Sequence, residues 1–111
     1  MELERVIDSY FAAIRAKDID ALTDLYADDA TFILPDGREF VGIDAIRAMH
    51  LGVFSASAPI PSPGARIMSR SAAAVEIDAR LPDGTVRQTT NHYFLDEAGK
   101  IEKLNVYMKV G

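Results

Sequence analysis

The chain has no cysteine at all. Disulfide frameworks, thiolate metal sites and cysteine nucleophiles are excluded by that one fact, which also fits a reducing compartment. Histidine is scarce: His50 and His92 lie far apart, no His-x-x-x-His pair occurs, and no metal site is expected. A phosphate-binding loop, a dinucleotide fingerprint and a Gly-x-Ser-x-Gly elbow are all missing, which leaves cofactor-free chemistry or plain binding. No apolar run approaches the ~20 residues that cross a membrane. The opening Met1-Glu2-Leu3-Glu4-Arg5 is too acidic and too briefly apolar for a signal peptide. Basic charge is also short: 12 Lys and Arg stand against 17 Asp and Glu, a formal net charge of −5 with no block of like sign. Phosphate backbones and anionic membranes need a concentrated positive field, so neither is an expected partner. The expectation is a soluble, cytoplasmic protein.

What the chain does have is patterning. Its 111 residues make one domain, 1–111, with room for a real if marginal core. Leu3, Val6, Ile7, Tyr10, Phe11 and Ile14 recur at helical spacing, with Glu4, Arg5, Asp8 and Arg15 opposite them. Lys17-Asp18 breaks this helix. Asp18 reads as the N-cap of a second, short one through Ile19, Leu22, Leu25 and Tyr26, closed by Asp28-Asp29. Ala30–Leu34 reads as a strand ended by the turn Pro35-Asp36-Gly37. A third helix is expected over Ile43–Ser55, with Asp44 at the positive end of its dipole. Ser55–Gly64, with Pro59, Pro61 and Pro63, reads as a loop.

Strand signals follow. Val75, Ile77, Ala79 and Leu81 alternate with Glu76, Asp78 and Arg80, up to a hairpin turn at Pro82-Asp83-Gly84. Thr85–Asp96 and Ile101–Val110 read as two more strands, joined by Glu97-Ala98-Gly99-Lys100. In the last strand, Leu104, Val106, Met108 and Val110 are expected to face inward. Thr85–Asp96 offers two mixed faces, one with Asn91 and Tyr93 and one with His92 and Phe94, and periodicity does not choose between them. Three N-terminal helices packed on one face of an antiparallel meander make an α+β fold.

Three segments carry a family resemblance: Tyr10–Asp20 running on to Leu25–Thr31; Phe40-Val-Gly-Ile-Asp-Ala-Ile46; and Asn91-His-Tyr-Phe-Leu-Asp-Glu-Ala-Gly-Lys-Ile101. Together they resemble the fold shared by nuclear transport factor 2, ketosteroid isomerase and the SnoaL-type polyketide cyclases. The resemblance spans essentially the whole chain. It implies a cone-like fold whose strongly curved, mixed-edge sheet encloses a pocket. It does not fix the reaction, because isomerases, cyclases, dehydratases, epoxide hydrolases and binders share this fold.

In ketosteroid isomerases a helix-borne tyrosine and a late-strand acid hold the enolate oxygen while a separate carboxylate moves the proton. The resemblance places Tyr10 at the first position and Asn91, a donor that needs no raised pKa, at the second. It puts Leu34 where the carboxylate base would stand. It also turns the Asn91 face toward the pocket and leaves the His92 face for packing against a second subunit. His50 falls within the apolar arc of the third helix (Ile43, Ile46, Met49, Val53, Phe54), either as a packed neutral histidine or as a substitute base. Tyr10 likewise reads as a core tyrosine or a pocket donor, and Asp36 as a turn residue or a group at the pocket mouth.

The expected site is thus Tyr10, His50 and Asn91, with Ile14, Leu34, Asp36, Met49, Phe54, Leu104, Val106 and Met108 about a small hydrophobic ligand. Proton-transfer chemistry on a carbonyl compound is one expectation. A non-catalytic binder is another, and a homodimer through the outer sheet face is compatible with both.

Overall fold

The computed structural model describes residues 2–56 and 60–109. Helix α1 spans Glu2–Ala16 and buries Leu3, Val6, Ile7, Tyr10 and Phe11 along one stripe, as the helical spacing requires. It ends with Lys17 at φ 53°, and the Asp18 N–H reaches back to the Ala13 carbonyl at 3.0 Å. Asp18 then caps α2 (Ile19–Thr23) by accepting the Ala21 N–H at 3.1 Å.

That second helix is shorter than its sequence pattern suggests. Leu25 follows it, and Tyr26 opens strand β1, Tyr26–Ile33. Asp28-Asp29 therefore closes no helix. The doublet is the exposed part of an irregularity in β1, where the five steps from Tyr26 to Thr31 face only the two from Ile101 to Lys103. A three-residue strand, β2 (Glu39–Val41), was not foreseen. Gly42, at φ 90°, turns the chain from it into α3 (Ile43–Ser55), whose bounds coincide with those expected.

The presumed loop at 55–64 is corrected. Ser55 belongs to α3, residues 57–59 lie outside the described residues, and Ile60–Met68 is strand β3. Pro61 and Pro63 are tolerated because β3 pairs only with β4 and forms a sheet edge. Strands β4 (Ala72–Arg80), β5 (Val86–Leu95) and β6 (Ile101–Met108) complete an antiparallel meander.

The fold is α+β. Its six-stranded sheet runs β2-β1-β6-β5-β4-β3, is open at both ends, and is antiparallel except where β1 meets β6. The helices do not all precede the strands, since β1 and β2 intervene before α3. The core joins α1 and α3 to the inward residues Val75, Ile77, Tyr93, Leu95 and Leu104, and each such large apolar side chain stabilises the fold by about 1.5–3 kcal/mol.

A candidate active site beneath two helices

Tyr10 projects from the buried stripe of α1, beside Phe11. His50 lies one helical turn after Ile46 on α3, and both are buried. Asn91 sits on β5 between Val75 of β4 and Val106 of β6, and shares the inward face with Tyr93 and Leu95. Burial therefore decides what periodicity left open on β5: Asn91 is 5% exposed, while His92 is only half-buried on the other face.

All three side chains line one cavity of about 270 Å³, near the lower end of the ~300–1,000 Å³ usual for ligand sites. Ile14, Leu34, Met49 and Val106 line it too, as expected. Phe54 and Leu104 do not: Phe54 packs tilted beside His50 at 6.2 Å between centroids, and Leu104 is wholly buried in the core. Met108 is 44% exposed and borders a separate surface depression with Val86 and Lys109, because the inward run of β6 gives out after Val106. Val110 lies outside the described residues. Asp36 is also outside the cavity. Its carboxylate accepts from the Arg38 N–H at 3.0 Å and Nε at 2.8 Å, so the turn holds it exposed and below its ordinary pKa.

Sequence reasoning missed Phe11, Phe32, Val53, Ile77, Ala79, Thr89 and Pro61 on the cavity wall. Phe32 and Ile77 carried a signal, since both point inward by strand alternation. Pro61 carried none, because its segment read as a loop. No lining residue bears a carboxylate, ammonium or guanidinium. Depressions of about 280 and 490 Å³ occur elsewhere, but they gather no comparable set of buried polar groups.

The polar groups are linked. Asn91 Nδ2 donates to the Tyr93 hydroxyl at 3.0 Å, and Tyr93 stands edge-on to Tyr10 with centroids 5.3 Å apart. His50 Nε2 lies 3.1 Å from the hydroxyl of Tyr26, a residue that sequence reasoning had placed in a helix. Burial pushes all three tyrosines above their ordinary pKa; the neighbouring Tyr26 hydroxyl offsets part of that rise for Tyr10. Burial also lowers His50 to about 4, so its imidazole is neutral at pH 7. Among the described residues no cluster of three metal-ligating side chains occurs, and no helix is long and apolar enough to cross a membrane. A neutral base, a hydroxyl and an amide around an apolar space are suited to holding a carbonyl oxygen and moving a proton beside it.

The sequence profile of the SnoaL-like domain matches residues 7–103. The chain belongs to the SnoaL-like domain family. No curated protein is similar enough in sequence to count as a match. Solved structures share the fold of this SnoaL-like domain at low identity. A Sinorhizobium meliloti protein with a provisional polyketide-cyclase name is 21% identical over 96% of this chain and 98% of its own, with a TM-score of 0.84. SalBIII, an epoxide hydrolase/cyclase-like enzyme of pyran ring formation in salinomycin, is 18% identical over 99% and 95%, at 0.84. A Kribbella flavida protein with a provisional ketosteroid-isomerase name is 13% identical over 99% and 79%, at 0.89.

Proposed function

We propose that this SnoaL-like domain is a cofactor-independent proton-transfer enzyme, isomerase-, cyclase- or dehydratase-like, acting on a small hydrophobic carbonyl compound. The observation that carries the reading is the convergence of Tyr10, His50 and Asn91 on one cavity with no charged group in its wall. Tyr10 and Asn91 donate hydrogen bonds to the carbonyl oxygen as it gains charge. His50 takes the proton from the adjacent carbon. Its lowered pKa does not disqualify it, because carboxylates act as bases in comparable sites from similarly low values. The uncharged wall favours a neutral substrate, since an unpaired ion would be costly to bury there.

Small cyclic ketones incubated with the protein in D₂O provide the test, read as deuterium gained at the α-carbon. His50→Gln should slow exchange by roughly 10²–10⁴-fold, and Tyr10→Phe by about 10²-fold. Ligand recovered without exchange from a protein that binds it would end the enzymatic reading. One observation favours that second reading, a binder. Leu34 stands in the cavity wall where the family resemblance puts the catalytic carboxylate. On either reading we propose a homodimer through the outer sheet face.

A further inference from the structure

The cavity grades from buried to open. Tyr10, Phe32, His50 and Asn91 are buried in its wall, whereas Pro61, Ala79 and Thr89 are half-buried and Val53 is exposed. Strand register accounts for the gradient on the sheet side. Val75 faces Asn91 and Ile77 faces Thr89 across β4 and β5, and Ala79–Arg87 is the next pair on the inward face. Residues directly opposite in an antiparallel pair share a face, so Arg87 stands on the cavity side of the sheet, beside the wall residue Ala79. Pro61 of β3 lies opposite Ala79 in turn. Pro61, Ala79 and Arg87 thus form one row across three strands at an open end of the cavity.

Two guanidinium groups meet this row. Arg87 is exposed at its β5 end. Arg15, one residue past the wall residue Ile14 on α1, donates from Nη2 to the Pro61 carbonyl at 3.4 Å. Neither belongs to an ion pair among the described residues, where the pairs are Arg38–Asp36, Arg47–Asp20 and Arg66–Asp8. The carboxylate of Asp83, in the turn before β5, is held by the Thr85 N–H at 2.8 Å. On a chain of net charge −5, two such cations at one mouth reverse the sign locally and draw anions toward it.

We propose that Arg15 and Arg87 form a carboxylate-binding rim, and that the substrate is an oxo acid whose carbonyl end enters the cavity. This rests on the cavity as a carbonyl site. The uncharged wall admits the neutral end, while the acid group stays outside with its water and its guanidinium partners. Arg87 lies four residues from Asn91 along β5, and its side chain folds back over Thr89, so carbonyl and acid stand ~7–14 Å apart. A carboxylate fits better than a phosphate, because a single negative charge meets less repulsion from the acidic remainder of the chain.

Calorimetric titration of the whole protein at pH 7 and low salt tests this with two probes. One is a cyclohexanone carrying a butanoate chain para to the carbonyl; the other is its methyl ester. The acid should bind roughly three- to tenfold more tightly than the ester. Added salt should shrink that preference. The double variant Arg15→Gln, Arg87→Gln should abolish it and leave the affinity for the ester unchanged. Equal binding of the two probes to wild type overturns the proposal, as does binding of neither, or a preference that survives in the folded double variant. If the double variant does not fold, Arg87→Gln alone decides, and an undiminished preference there overturns the proposal. Deuterium uptake by both probes separates the two readings. Exchange without preference for the acid removes the rim and keeps the enzyme, whereas preference without exchange keeps the rim and removes the enzyme.

Discussion

In the proposed reaction His50 is the side chain that moves the proton, and its titration is also felt in stability. In the unfolded chain it titrates near 6.5, but in the fold only at about 4. Between those values the unfolded state binds more protons, so this contribution is complete above about pH 6.5 and is lost as the pH falls toward 4. The 4% exposure of His50 leaves little solvent screening, and the loss amounts to about 3 kcal/mol. Urea unfolding from pH 7 to 4 should show that decline in wild type and a flatter profile in His50→Gln. Asp36 and Asp83, held below their ordinary value by turn hydrogen bonds, add a loss of their own toward the acid end of this range, but they do so in both proteins, so the difference between the two profiles isolates His50. Leu34 offers the complementary experiment. Leu34→Asp puts a carboxylate in the cavity wall at a stability cost of about 1–3 kcal/mol. α-Proton exchange should rise above wild type. An unchanged rate in the folded variant would show that position 34 is remote from the reacting carbon.

Elements explain why some of this was legible and some was not. Long helices with sustained periodicity declare themselves, so α1 and α3 could be read closely. The start of β1 could not, because Leu25 and Tyr26 continue the helical spacing from Leu22 and the irregularity at Asp28-Asp29 erases the strand period. With it went Tyr26, the partner of His50. β2 has three residues, too few for any period, and the prolines of β3 mimic a loop. The turns were the clearest signal. Leu-Pro-Asp-Gly occurs at 34–37 and again at 81–84, and both copies close with the same pair of hydrogen bonds and a glycine near φ 90°. A Cβ at Gly84 would touch nothing within 4 Å, so Gly84→Ala should cost only its backbone strain, about 1–2 kcal/mol. Gly52 is equally open but sits inside α3, and Gly52→Ala should stabilise by about 0.5–1 kcal/mol. Urea midpoints moving in the same direction for both would contradict this account.

At the scale of the whole molecule, the inner face of the sheet is occupied by helices and the outer face is not. Ile67 is 78% exposed and Tyr107 48%. Tyr107 packs tilted against His92 with ring centroids 4.7 Å apart, and Phe94 lies under the Lys103 ammonium at 5.1 Å. Ile67, Met68, Ala72, Ala74, His92 and Phe94 border a shallow, mainly apolar depression of about 240 Å³ there. A second copy docked by a twofold axis would cover this face with itself, each residue meeting its own equivalent surface. Ile67→Glu then sets carboxylates into both halves of the contact at once. Sedimentation equilibrium should show a wild-type dimer and a variant weakened on the order of tenfold or more. Ile67 is absent from the cavity wall, so the acid titration of His50 should be the same in both proteins. A wild-type monomer at high concentration would refute the dimer. A weakened dimer with an altered His50 titration would instead mean that pairing on the outer face is felt across the sheet, by the residues that line the cavity.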